Sequence, residues 1–520
     1  MEKAKKDGFN SGIGFVLAAA GSSVGLGNLW SFPYKTSQNG GAAFVIVYVL
    51  SVILLGTILC VAEMYIGRRA KSNPVTAFKK IHKRLGFVGI FGVLGSLLIT
   101  FFYSVLGGYT LKFTVNSFSD NTEILQSFSA NWWEVILFTA LFLLLSTVII
   151  FLGVKKGIEK ASLILMPILV VVLVGIAIYC LCLGDGVSEG LNYYLNPDFR
   201  QLGFKGILAA MSQAFFSLSV GTGIMAVYGS YTGKKVKIGR SVLWIAFFDT
   251  FVALIAGLAI FPAIYHYQAE TGIALQNNGL MLLFSSMPII FNKLGFAGKI
   301  ISFFFFGMVS IAAITSVIAL LEGIVQLVVQ VFKVKKIKAI PIVALLCLIG
   351  SIPVGISLGQ SLNGNSFMSL GSKSLLEILD SIVSLFFIPI GSLFIAIALG
   401  WLLFKPKNKK ELFSVAALSR TLKEDGLDLG KFQHAFSFGI KFVAPIAILL
   451  IEIMGIVDAI WPDNGFSRVF SSEGLILVII SFVLGLLACL VYFFFLQNRD
   501  TGVNEGEEEE VAPAVEEPKQ

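Results

Sequence analysis

The sequence predicts an all-α polytopic membrane protein with twelve transmembrane helices, and three observations carry that expectation. Of 520 residues, 56% are hydrophobic and only 13% charged, about half the charge of a soluble chain. Apolar runs near the bilayer-crossing length of about 20 residues start near residues 12, 42, 87, 133, 161, 207, 241, 299, 339, 376, 436 and 474. The loops between them alternate in charge. Lys3, Lys5 and Lys6, then RRAKSNPVTAFKKIHKR (68–84), VKKGIEK (154–160), GKKVKIGR (233–240), KVKKIK (333–338) and KPKNKK (405–410) lie on one side. NSFSDNTE, GDGVSEGLNYYLNPD and WPDNGFS lie on the other.

The excess of Lys and Arg on one side places both termini in the cytoplasm, and an even number of spans agrees. The expected location is the cell inner (plasma) membrane, multi-pass. The net charge of +8 is therefore topological, and the bilayer, not nucleic acid, is the expected partner; oligomeric state is left open. The N-terminus leads into a long span without a cleavage site, so no cleavable signal peptide is expected. Cys60, Cys180, Cys182, Cys347 and Cys489 fall in apolar stretches without metal-site spacing. The expected organisation is a cytoplasmic N-terminal segment (1–11), a first repeat with spans 1–5 (12–183), a second repeat with spans 6–10 (207–404), spans 11 and 12 (436–496), and an acidic disordered cytoplasmic tail (497–520).

Span 1 is the unusual one. SGIGFVLAAAGSSVGLGNLWSFPYK (11–35) carries Gly21, Ser22, Ser23, Gly25, Gly27 and Asn28 at membrane depth. Lipid supplies no hydrogen bonds, so broken backbone there must line a cavity or be buried in protein. The glycines read equally as a GxxxG packing face. Span 6 repeats the irregularity at Ser217-Leu-Ser-Val-Gly-Thr-Gly223. Paired interruptions five spans apart point to a five-plus-five inverted repeat with discontinuous helices 1 and 6, the layout of a secondary transporter.

GSSVGLGNLWSFPYKTSQNGGAAF (21–44), SQAFFSLSVGTG (212–223) and AAITSVIALLE (312–322) resemble helices 1, 6 and 8 of the neurotransmitter:sodium symporter family. KGIEK, LNPDF and a helix-10 aspartate follow in family order. The resemblance covers nearly the whole chain and is nearest to bacterial amino-acid members such as the leucine transporter. It implies sodium-driven uptake of amino acids. The expected cofactors are sodium ions at two sites, with no organic cofactor.

By that resemblance one sodium takes the carbonyls of Gly21, Val24 and Ala312 and the hydroxyls of Thr315 and Ser316. Positions 312, 315 and 316 share one helix face, although helical Thr and Ser also bond their own backbone. The other sodium takes Ser23, Asn28, Ser217 and Asp249. Asp249 lies inside a span, where a carboxylate costs several kcal/mol unless paired; the alternative is a span end facing water. It replaces the leucine transporter's asparagine, which implies chloride independence.

The resemblance further implies that the substrate carboxylate meets the amides near Leu26 and Gly27, where a half-helix dipole favours an anion, and the hydroxyl of Tyr103. Ser23 and Ser217 border the pocket, and Ile99, Phe216, Ser219, Thr222, Ser316 and Leu320 line its side-chain end. Gly25 stands where monoamine members carry an aspartate, so a neutral, largely apolar amino acid is expected, and Thr222 leaves room for aromatic ones. The gate residues are Ser31, Asp380 and Phe216; Ser31 replaces the family arginine opposite Asp380, which puts a charged outer gate in doubt. Lys6, Phe9 and Gln330 stand at the inner latch. Glu63 and Gln213 match buried polar positions, and Glu322 and Glu452 sit in spans without an assigned role.

Other classes lack their signatures. The three histidines form no HExxH, so no enzyme is expected, and GSYTGKK (229–235) has the wrong spacing for a Walker loop. A transport-impaired amino-acid-binding membrane sensor on the same fold is the alternative.

Overall fold

The computed structural model describes residues 8–9, 11–119, 124–233, 236–272, 279–365, 367–371, 373–403, 409–461 and 470–497. Lys6 of the inner latch, most of the N-terminal segment and all but the first residue of the acidic tail lie outside these residues. The fold is helical, and the only β-type pairing among the described residues is one isolated bridge between Leu370 and Lys373.

Among the described residues ten helices are long and apolar enough to cross a membrane: Ala42–Ala70, Lys83–Val115, Trp132–Phe151, Val154–Leu181, Ile238–Thr271, Gly295–Phe332, Lys336–Leu362, Leu375–Leu402, Gly430–Ile460 and Ser472–Leu496. These are spans 2–5 and 7–12 of the sequence reading. Span 1 is a bent pair, Gly12–Ser23 and Gly27–Gln38, with 49° between its halves. At the position of span 6 stand two shorter helices, Gly203–Ser217 and Ile224–Ser230, each below crossing length alone. Several helices begin four to seven residues before the apolar run does, because polar residues complete the first turn.

The ends show why the helices start where they do. Ser374 and Glu377 form a reciprocal capping box at span 10. Ser11 caps span 1 through the amide of Gly14, 2.9 Å away. Glu159 of the KGIEK loop accepts from both the amide (3.1 Å) and the hydroxyl (3.0 Å) of Ser11, which ties that loop to the start of span 1.

Apolar side chains on spans 4, 5, 9, 11 and 12 point outward, among them Leu144, Val171, Leu345, Leu450 and Phe494. Spans 3 and 8 are the most enclosed of the long helices, and the residues around both breaks are buried. Small residues also set a close crossing of spans 2 and 6. A Cβ at Gly67 would lie 1.9 Å from the Ala226 carbonyl, and one at Gly229 would lie 2.1 Å from that of Met64. Span 2 therefore meets the second half of span 6 backbone to backbone, the contact small residues permit in membranes.

The break in span 6 needs glycine for two separate reasons. Gly221 has φ +84°, and a Cβ there would lie 2.5 Å from the Ile388 carbonyl of span 10. We expect Gly221→Ala to destabilise the protein by about 1–3 kcal/mol through backbone strain and this clash. The measurement is the thermal unfolding midpoint of the purified protein, which should fall by several degrees, whereas alanine at Gly175, where a Cβ meets open space, should leave it nearly unchanged.

Candidate functional site

Span 1 opens at Val24, whose ψ of 103° ends the first half-helix. A π-turn from Gly27 to Ser31 begins the second half. The freed groups find local partners. The Gly25 amide donates to the Asn28 side-chain oxygen at 3.1 Å, and the Gly25 carbonyl accepts from the Asn28 and Leu29 amides. In span 6, Leu218 to Gly223 is non-helical, with positive φ at Ser219, Gly221 and Gly223. Glu63 of span 2 accepts from the Gly221 amide at 2.9 Å, and Ser96 of span 3 donates to the Thr222 carbonyl at 2.9 Å. Ser219 donates to the Ser22 carbonyl at 3.1 Å, which joins the two breaks.

At that junction lies a fully buried carboxylate. Asp249 and Asn28 are both 0% exposed. The Asn28 amide nitrogen donates to Asp249 Oδ1 (2.8 Å), to the Asp249 carbonyl (2.9 Å) and to Ser217 Oγ (3.1 Å). Ser217 reaches both Asp249 oxygens at 2.8–2.9 Å. The Tyr48 hydroxyl lies 3.4 Å from Oδ2; nothing in the sequence singled out this residue. Among the described residues no cationic side chain acts on Asp249. A buried carboxylate held by neutral donors alone lacks a counter-charge, which a small cation supplies. The oxygens here suit a hard cation. Ser23 turns its hydroxyl to the Ala19 carbonyl at 3.3 Å.

A second oxygen cluster faces span 8. Ser316 Oγ lies 3.4 Å from the carbonyls of both Gly21 and Val24. Thr315 donates to its own helix, to Ala312 O at 3.0 Å and Ile311 O at 3.2 Å. Its Cβ would lie 3.3 Å from a Cβ at Gly21, so the absence of a side chain at 21 lets the two spans approach. Ser316 thus meets two span 1 carbonyls, while Thr315 and Ala312 pair one turn away within span 8, and all these oxygens are neutral.

Tyr103 accepts from the Leu26 amide at 2.6 Å and shares a side-chain hydrogen bond with Ser316. A Cβ at Gly25 would lie 2.2 Å from the Tyr103 hydroxyl and 2.4 Å from Ser316 Oγ. Glycine at 25 is therefore a steric requirement, and an acidic side chain has no space. Ile99 and Leu320, both buried, stand four residues from Tyr103 and Ser316 on the same helix faces. Phe216 closes over Gly27, with ring atoms 3.2 Å from a Cβ there, and Thr222 turns its hydroxyl to the Ser219 carbonyl at 2.9 Å.

The outer layer differs from the expectation. Ser31 does not face Asp380; its hydroxyl donates to Gln213 Oε1 at 3.0 Å. The cation of this layer is Lys35, one turn further along the same helix face. Its Nζ donates to the same Gln213 oxygen at 2.8 Å, lies 5.9 Å from the Phe216 ring centroid and is electrostatically coupled to Asp380. Gln213 donates in turn to the Gly27 carbonyl at 2.9 Å, and Asp380 accepts from Ser384. Spacing of i to i+4 from Ser31 was the available signal for Lys35.

On the inner side, Phe9 stacks against Tyr228 (6.0 Å) and meets Phe15 and Tyr231 edge-on. Gln330 accepts from Ser72 (2.7 Å) and Asn73 (2.5 Å), tying span 8 to the loop after span 2. Glu322 accepts from Tyr231 (2.5 Å) and pairs with Lys336 (2.7 Å). The histidines are dispersed, and no cluster of His, Cys, Asp and Glu suited to a metal occurs among the described residues.

The family described as "Sodium:neurotransmitter symporter family" matches residues 6–135 and 122–497. An uncharacterized sodium-dependent transporter of Bacillus subtilis, YhdH, is 33% identical over 477 residues, 88% of this chain and 100% of the relative. A sodium-dependent transporter of Haemophilus influenzae, also uncharacterized, is 30% identical over 467 residues, covering 86% of this chain and 97% of its own length. The crystal structure of MhsT in complex with L-phenylalanine superposes with a TM-score of 0.75 at 34% identity, covering 86% of this chain and all of that one.

The packing at Gly25 gives a direct test. Gly25→Ala should cost about 1–3 kcal/mol by overpacking, and Tyr103→Phe in the same chain should recover part of it. A double-mutant cycle in thermal unfolding should return a coupling of more than about 0.5 kcal/mol.

Proposed function

The chain belongs to the sodium:neurotransmitter symporter family, and on that premise we propose that it is a sodium-coupled symporter that imports neutral, largely hydrophobic amino acids, aromatic ones included, by alternating access. The observation that carries the reading is the buried Asp249–Asn28–Ser217 cluster at the junction of two interrupted spans. An ionisable group inside a span points by default to an ion or substrate pathway. Sodium at this cluster neutralises Asp249, and the ion also touches the carboxylate of the amino acid. Each then strengthens the binding of the other, and linkage makes the coupling reciprocal. Because Asp249 supplies the negative charge, chloride is not required.

A second sodium at Gly21, Val24, Ala312, Thr315 and Ser316 braces span 1 against span 8. The half-helix amides at Leu26 and Gly27 and the Tyr103 hydroxyl bind the substrate carboxylate. With no acid at position 25, a cationic amine on the substrate side chain finds no partner. The L-phenylalanine in the MhsT complex supports an amino-acid ligand of this size. Spans 1, 2, 6 and 7 rock against the rest, in a twelve-span, five-plus-five inverted-repeat arrangement in the plasma membrane with both termini cytoplasmic. In the outer layer Lys35 supplies, one turn from Ser31, the positive charge that Asp380 meets on closure.

Proteoliposome uptake of labelled alanine, leucine, tyrosine and tryptophan tests this reading. We expect an inward sodium gradient to drive accumulation of at least one of them, unchanged when gluconate replaces chloride. Sodium-dependent binding without accumulation would instead identify an amino-acid sensor. Asp249→Asn should weaken sodium-dependent substrate binding by tenfold or more, about 1.4 kcal/mol. Lys35→Met should slow uptake several-fold and change equilibrium substrate affinity less than it changes the rate, because Lys35 reaches the pocket only indirectly, through Gln213 and the Phe216 lid.

A further inference from the structure

Glu452 lies in the middle of span 11 and is 9% exposed. Neither carboxyl oxygen has a hydrogen-bond partner. Every other buried acid described above has one: Glu63 holds backbone amides, Asp249 three side chains, Glu322 a tyrosine and a lysine, and Asp380 a serine and the field of Lys35. Glu452 therefore differs from them in kind.

The side chain borders a small crevice between spans 10, 11 and 12. Ser381, Leu385 and Phe386 of span 10 and Ser481 and Phe482 of span 12 close it. No Asp, Glu, His, Lys or Arg other than Glu452 lines it. The nearest charges in sequence face elsewhere: Asp380 toward Lys35 and Ser384, and Asp458, at the outer end of span 11, toward Lys205 at 3.0 Å. The crevice has room for about one water molecule, too little for an organic ligand. Two serine hydroxyls are too few oxygens to complete the shell of a metal cation.

A carboxylate in apolar surroundings, with neither cation nor donor, costs many kcal/mol, and the neutral acid costs far less. We infer that Glu452 is a proton-binding site inside the membrane, and that its proton keeps span 10 seated against spans 11 and 12. The placement gives the proton leverage. The crevice wall on span 10 is the π-turn Val383–Phe387, a local irregularity that often marks a functional hinge. Ser381 of the wall follows Asp380 of the outer layer directly. Loss of the proton would put a bare charge beside Leu385 and Phe386 and drive water into the crevice, shifting the hinge and Asp380 with it.

The proposal is tested on the full chain in lipid nanodiscs by infrared spectroscopy, with Glu452→Gln and Glu452→Met as neutral replacements. At neutral pH the wild type should show a protonated-carboxylic-acid carbonyl band that both variants lack. This band should disappear reversibly as pH rises. The wild-type thermal midpoint should fall, relative to both variants, from the ordinary carboxylate range up to the pH at which the band is lost, and level off above it, since the folded state alone holds the proton in that window. Identical carboxylic-acid bands in wild type and variants overturn the proposal, as does a band that persists at every pH. Failure of both variants to give folded, monodisperse protein also overturns it, because a neutral, unpartnered acid tolerates a neutral replacement of similar size. The spectroscopic result does not depend on whether the chain transports amino acids.

Discussion

Everything in this structure depends on the rule that backbone hydrogen-bonding groups in the membrane interior must find partners within the protein. Spans 1 and 6 both break the helical ladder, and both are enclosed. The solution differs between them. In span 1 the partner is local: Asn28 folds back to the Gly25 amide, and the π-turn re-engages the remaining carbonyls. In span 6 the partners come from neighbours, Glu63 on span 2 and Ser96 on span 3. Long straight helices therefore hold the broken ones open, and the carbonyls of Gly21 and Val24 meet the Ser316 hydroxyl of span 8.

Charge follows the same logic one level up. Asp249 is surrounded by three neutral donors from spans 1, 2 and 6. Neutral donors orient a carboxylate but do not cancel its field. The same amide nitrogen of Asn28 bonds Ser217, the Asp249 carboxylate and the Asp249 backbone, so a displacement of span 1 moves all three. A cation at this point would bind more tightly when spans 1, 6 and 7 are correctly placed. That coupling between ion occupancy and helix position is the physical content of ion-driven conformational change.

Much of this was legible in the sequence. Glycine and serine at membrane depth marked both interruptions, because glycine lets a backbone open without a steric penalty and a serine hydroxyl can both donate to and accept from the freed groups. Asp249 was legible because a carboxylate in an apolar run is anomalous. Lys35 was not, although it lies only four residues from Ser31: attention to a fixed motif position hides a charge displaced by one turn of the same face. Tyr48 and Ser96 were illegible for a different reason. An intramembrane tyrosine or serine has many ordinary uses, and only the three-dimensional arrangement reveals that one reaches Asp249 and the other the Thr222 carbonyl. The extra turns at several helix starts were missed because capping residues are polar and fall outside an apolar run.

The position of Gln213 connects the outer layer to the binding layer. Its oxygen collects two donors, Ser31 and Lys35, while its nitrogen bonds the Gly27 carbonyl. Gly27 opens the second half of span 1, and Phe216 lies directly over it. A lysine that swings from Gln213 toward Asp380 therefore releases one side of a glutamine whose other side holds the backbone beneath the lid. An arginine at position 31 would reach Asp380 from nearer the pocket; a lysine at 35 acts from one turn farther out and needs an intermediary to be felt there. Gln213 has the geometry of that intermediary, since a primary amide both accepts and donates. Ser31 and Lys35, one turn apart on one helix face, thus act through a single acceptor, and a neutral relay spans the distance from the outer charge to the Gly27 carbonyl.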